Sequence, residues 1–473
     1  MKSARQVVAP DFAHAGVQAI AAVKPDIGNL EACVEDARRA ALDADEGPPK
    51  PLEFAPLRGR LQAARQKLPP LYRKTLWDPY VATLEQLGES GFVKILMKDP
   101  AGEGTAGLML DIAQAVVQNG EDYQKRATDG FQEVVSDLYD GFLSAEDRKA
   151  VRPPEAGTIP PLVKWGNPDF GPYTWTADAV RAFGIEPPIV NLPPANARRG
   201  LLAWSALGHE TAGHDILHAD AGLLEQLGAA VHGRFAEKKL DLKLATYWAD
   251  RIDETASDVL GVLNLGPAAG IGLIGYFRAL NGAYIGQAKL RSDGPANDPH
   301  PADILRGFLA AACVKRLEFS GAKSWADLIQ IEAQKDVGTI VLAGANVSEA
   351  EAVESADAVA EVVMGGRMQA LEMHPLGYIQ NWRDTDEAIA QQLRGFLATV
   401  GELPNQLASG VYAAHAVAAA VTAALAAQGN IELIFDRMLA LLKRMHDANP
   451  SWGPLYVRQP GNLVAHYAYI NHA

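Results

Sequence analysis

Cysteine is almost missing from this chain: Cys33 and Cys313 are the two in 473 residues. Two so far apart build no disulfide framework and offer no metal-binding spacing, and they suit a reducing, cytoplasmic setting. Positive charge is also short. Lys and Arg total 43 against 57 Asp and Glu, a net −14, so a nucleic-acid partner is not expected. Long uninterrupted apolar runs are lacking. Val259 to Phe277 is broken by Asn264, Pro267 and glycines, and Gly410 to Ala427 is mostly alanine with His415 and Thr422. Both read as buried core helices, so no membrane partner is expected. Near the start, Pro10, Asp11 and His14 interrupt the mild apolarity that follows Lys2 and Arg5, which argues against a signal peptide. Neither a P-loop nor a G-x-G-x-x-G fingerprint occurs, which removes the usual nucleotide-binding signatures.

Histidine is scarce too, at 11, yet three cluster in LLAWSALGHETAGHDILHAD, Leu201 to Asp220. The stretch holds His209, Glu210, His214, Asp215, His218 and Asp220. It reads as a helix anchored by Leu201, Leu202, Leu207 and Ile216, with Asn196 as its N-cap. Histidine and carboxylate crowded on one helix point to a divalent metal. The spacing is H-E-x-x-x-H rather than H-E-x-x-H. Five residues of α-helix turn roughly 500°, which leaves the rings about 140° apart. One residue accommodated as a π-bulge brings them together, and Gly213 is where such distortion costs least. The rival pair is His214 and His218, four apart, with Asp215 in the place of Glu210. His209 and His214 are favoured because of a second acidic segment downstream.

That segment is Asp241 to Leu265, expected as one amphipathic helix capped by Asp241, with Leu244, Trp248, Ile252, Thr255, Val259 and Val262 facing the core. Glu254 and Asp258 lie four apart on one face. Glu254 can serve as the third metal ligand, while Asp258 accepts a hydrogen bond from a ligating imidazole. His218, one turn past His214, is expected to support the site rather than ligate.

The two motifs together resemble the dipeptidyl peptidase III family of zinc peptidases. His209, Glu210, Gly213 and His214 match its H-E-x-x-G-H motif. Asp253, Glu254 and Asp258 match its second, acidic motif, with aspartate at both ends. The resemblance covers Gly208 to Asp258. It implies one Zn2+ held by His209, His214 and Glu254, with Glu210 as general base. Asn191, in Val190-Asn-Leu-Pro193, is similar to an asparagine that holds substrate in that family. Some zinc peptidases keep a transition-state-stabilising histidine beyond the ligand helix. His300, with Arg306 nearby, occupies that region here, and Tyr284 is a second candidate for steadying the oxyanion.

Around the motifs the chain reads as helices: Leu57 to Lys67, Leu71 to Leu87, Gly107 to Asn119, Gly130 to Phe142, Glu351 to Val363, Glu387 to Val400 and Ile431 to His446. Proline and glycine crowd Arg152 to Pro172, which reads as a boundary. Ile189 to Leu192 is a short strand-like run, a candidate edge for holding a peptide by β-augmentation. The expected organisation is an N-terminal helical region (1–151), a metal-binding core (152–330) and a C-terminal helical region (331–473). The expected fold is mainly α with a minor β element beside the motif helix, α+β and zincin-like. The expected activity is zinc-dependent peptide-bond hydrolysis, on short peptides by the family resemblance. Two alternatives stand beside it. One is a non-haem Fe2+ oxygenase drawing further ligands from His218 or His300. The other is a helical scaffold with a degenerate motif. Oligomeric state is not readable from the sequence.

Overall fold

A computed structural model describes residues 24–143, 151, 159–168, 171–399 and 411–452. Residues 152–158 and 169–170 of the proline- and glycine-rich stretch lie outside the described residues. The chain is mainly helical with two small mixed sheets. The helices expected on either side of the motifs form, among them Thr105–Gly120, Lys125–Leu143, Glu349–Gly365 and Ile431–Ala448. One contiguous apolar core runs from Leu30 to Met445, so the three regions read from the sequence share it. Among the described residues no helix is long and apolar enough to cross a membrane.

The first sheet places the site. Its strands are β1 (Leu162–Trp165), β2 (Tyr173–Trp175) and β3 (Ile189–Leu192), in the order β1-β3-β2. β3 pairs parallel with β1 (Leu162 opposite Ile189) and antiparallel with β2 (Thr174 opposite Val190). The sequence reading of β3 as a free edge is therefore corrected. β3 is the central strand, and its backbone groups are used on both sides. Its Asn191 is fully buried and donates through Nδ2 to Tyr173 O at 3.2 Å, so it ties β3 to β2 rather than facing a substrate. The strand beside the motif helix is β2. Thr174 Oγ1 donates to Glu210 Oε2 at 2.9 Å, across the step from sheet to helix.

Two helix boundaries also differ from expectation. The motif helix starts at Leu201 after Gly200, whose φ of 75° is in the left-handed region that glycine adopts cheaply. Asn196 sits in a 3-10 turn, Pro194–Ala197, so it is not the N-cap. The acidic segment is two helices rather than one. Asp241 caps Leu242–Ala249, its side chain accepting from Lys243 N at 2.8 Å, and a second helix, Ile252–Leu265, begins after a break at Asp250 and Arg251. Arg251 fills the break, donating to Tyr247 O, Pro295 O and Ala296 O. Carbonyl contacts made this far along the chain leave no periodic trace in sequence. The break puts Asp253 and Glu254 in the first turn of a helix, where the N-terminal end of the helix dipole favours carboxylates.

Candidate metal centre

From Gly208 to Asp215 the motif helix is π-wound, with backbone bonds five residues apart. This is the departure from α geometry that a five-residue spacing requires. His209 and His214 end on the same side, with ring centroids 4.7 Å apart. Gly213, inside this winding, also has a packing role. A Cβ there would lie 2.3 Å from Ser257 Cβ, so glycine is needed for the motif helix to approach Ile252–Leu265 closely. That approach carries Glu254 to the two imidazoles.

The ligand atoms of His209, His214 and Glu254 all lie within 4.8 Å of one another, and the group could hold a metal ion. His209 Nε2 is 3.3 Å from Glu254 Oε2, and His214 Nε2 is 3.3 Å from Glu254 Oε1. Tetrahedral coordination with bonds of about 2.0–2.2 Å sets neighbouring ligand atoms roughly 3.3–3.5 Å apart. Glu254 Oε2 is buried and makes no well-directed hydrogen bond, with the His209 imidazole and the Arg306 guanidinium as its neighbours, as an atom placed for a cation would be. Two imidazoles and one carboxylate suit zinc or iron.

Both rings are held from behind. Asp258 Oδ1 lies 2.9 Å from His209 Nδ1, and Asp253 Oδ1 lies 3.1 Å from His214 Nδ1. Carboxylates in these places fix the tautomer and leave Nε2 to face the cluster. The other oxygen of Asp253 meets His218 Nε2 at 3.0 Å, so His218 acts on the site through Asp253 and is not part of the cluster. Arg306 closes the shell. It is buried, forms two 2.7 Å bonds to Asp258, and lies 4.5 Å from the Phe277 ring centroid. Arg306 thus holds Asp258 while also bordering the cavity beside the cluster.

The charges follow from this pairing. Burial pushes Glu254 up, but the adjacent His209 and His214 imidazoles outweigh it and hold the carboxyl below the usual range. Burial likewise opposes Asp258, and the Arg306 charge and the His209 bond bring it down. Burial pulls His209 down, while Asp258 and Glu254 raise it above its ordinary value. His214 follows the same pattern through Asp253 and Glu254. The raised values favour the protonated imidazoles, which compete with a cation for the ring nitrogens. Ligation needs them neutral, so metal binding strengthens as pH rises.

No family model matches this chain. No curated protein or solved structure matches it either. The likeness to dipeptidyl peptidase III therefore rests on the motif residues alone, and the rest of the site is read from its geometry.

Beside the cluster is a cavity of about 370 Å³, bordered by His209, Glu210, Glu254, His300 and Arg306. His300 reaches it: Nε2 is 3.4 Å from Glu254 Oε1, and Nδ1 is anchored on Asp298 at 3.0 Å. Tyr284 does not border it. That side chain is 55% exposed, and its hydroxyl donates to Ala41 O at 3.2 Å, away from the ligands. The tyrosine on the cavity wall is Tyr276. Thr174 and Tyr276 were not singled out from the sequence. Thr174 carries no motif signal, and Tyr276 could have been found from its position eight residues, about two helical turns, before Tyr284.

Proposed function

We propose that the chain is a zinc-dependent hydrolase of peptide bonds. The observation that carries this reading is the placement of Glu210. It adjoins the ligand His209, borders the same cavity and is steered there by Thr174, but it is not one of the three cluster residues. His209, His214 and Glu254 would hold the zinc, which supplies a water of lowered pKa and polarises the carbonyl under attack. Glu210 takes the proton of the attacking water and returns it to the leaving amine. His300 Nε2, on the cavity side, donates to the oxygen that gains charge.

A second reading is favoured by the donor set itself, since two histidines and one carboxylate also hold Fe2+ in oxygenases. Elemental analysis separates the two. The hydrolase reading expects one zinc per chain and cleavage of a mixed short-peptide library. It also expects Glu210→Gln to keep the zinc while cleavage falls at least ~100-fold. Equal cleavage by both proteins at equal zinc removes Glu210 from the chemistry, and one iron with oxygen uptake moves the site to the oxygenase class.

A further inference from the structure

The ligand cluster faces a wall that has little polar chemistry of its own. Helix Pro267–Tyr284 runs against the start of the motif helix with no space between them: a Cβ at Gly272 would lie 2.4 Å from Ser205 Oγ, and one at Gly275 2.7 Å from Leu202 Cδ1. Locked in this way, the helix lines the cavity with Leu273, Tyr276, Phe277 and Leu280. Ala206, one turn before His209, also lines it with a minimal side chain, and Ile285 stands 59% exposed among the lining residues. Away from Glu210, Glu254 and His300, the charged residues that border the cavity are already paired. Arg291 binds Asp303 at 3.0 Å, Asn281 donates to Asp303 at 2.8 Å, and Arg306 is held by Asp258. These charges are neutralised within their own pairs, so a charged side chain placed against this wall would lose solvation with little return.

We propose that this cavity takes one large apolar side chain, aromatic or branched aliphatic, from the residue that flanks the bond to be cut. The inference rests on the peptidase reading and adds the substrate class to it. About 370 Å³ is at the small end of ligand cavities, which span roughly 300–1,000 Å³, so the space fits one side chain with its backbone. The metal cluster on the same cavity fixes which side chain that is, the one next to the polarised carbonyl.

The test is direct binding to the zinc-loaded full chain by calorimetry, with the hydroxamates of alanine, leucine and phenylalanine as probes. The leucine and phenylalanine compounds are expected to bind about 10–100-fold more tightly than the alanine compound, the gain from burying a large apolar side chain. Leu280→Asp should cut that ratio to below about threefold with zinc content unchanged, because a carboxylate then stands in the apolar wall. Ile285→Asp, at an exposed position, should lower the same ratio and keeps the test open if Leu280→Asp does not fold. Equal affinities across the three probes, with zinc bound, overturn the inference and leave the peptidase reading intact. Absence of bound zinc overturns the reading beneath it, and the inference with it.

Discussion

Two regions of this molecule bury carboxylates beside histidine, and they resolve the cost in opposite ways. One is the candidate metal centre. The other is a stripe on helix Lys125–Leu143, where Asp129, Glu133 and Asp137 recur every four residues against His446 from helix Ile431–Ala448. Burial is as deep in the stripe: Glu133 is fully enclosed and Asp137 is 2% exposed. At the metal centre each carboxylate meets an imidazole or a guanidinium within hydrogen-bonding range, and pairing wins over desolvation. In the stripe His446 stays 3.7 Å from Glu133, and Glu133 Oε1, Asp137 Oδ1 and His446 Nδ1 have no hydrogen-bond partner. Burial there drives Glu133 and Asp137 up and His446 down to about 4, which favours the neutral form of each. Asp129, in the same stripe, keeps Lys125 at 3.2 Å and Lys443 at 3.4 Å. The same residue types thus make a cation-ready pocket in one place and, around Glu133, Asp137 and His446, a buried seam that favours the neutral forms in the other. What decides is whether an opposite charge arrives within about 3 Å.

The sharpest way to break this contrast is to remove one histidine from each region. His209→Ala should lose stoichiometric zinc, because one of three protein ligands is gone, whereas His446→Ala should keep it. Loss of zinc from both variants would make the two regions one system. A smaller effect is expected behind the ligands. Asp258→Asn keeps an acceptor near His209 but drops the charge, and zinc affinity measured by chelator competition should weaken about 10–100-fold. Asp137→Asn, in the stripe, should leave that affinity where it was.

The smallest effect concerns pH. The folded protein holds a proton on Glu133 that the unfolded chain releases, so this residue's contribution to stability is complete below its ordinary value of 4.5 and is lost as pH rises toward about 8. Glu254 has the opposite sign. Its folded value is depressed, so its contribution is present above the carboxylate range and lost on acidification. Melting temperatures of the zinc-free protein between pH 5 and pH 8 should fall less with rising pH in Glu133→Gln than in the wild type. An unchanged slope would mean that Glu133 is already ionised in the fold.

The centre of the site was legible because its signals are local. His209, Glu210 and His214 are neighbours on one helix, and Glu254 and Asp258 share a face of another, so spacing alone places them. The mostly helical class was legible for the same reason. What escaped the sequence depends on partners distant in the chain. β3 is central only because β1 and β2, from before it in sequence, flank it on both sides. The acidic helix breaks where Arg251 finds the carbonyls of Pro295 and Ala296. Tyr284 lies on the same helix as Tyr276 but ends at Ala41 O, a contact 243 positions away. Gly213 lies within the π-wound segment as expected, while its close approach to Ser257 cannot be read from the segment itself.

The π winding has a consequence for how this motif is spelled. Five residues per backbone bond let H-E-x-x-x-H present the same pair of rings that H-E-x-x-H presents in α winding. Ala212 is therefore equivalent to an insertion of a single codon, absorbed by the winding and not by a loop. Its deletion leaves His209-Glu-Thr-Gly-His, a four-residue spacing that an ordinary α-helix satisfies. A search that fixes the number of letters between the histidines separates two spellings that place the same atoms, so distance between rings is a better descriptor of such sites than distance along the chain.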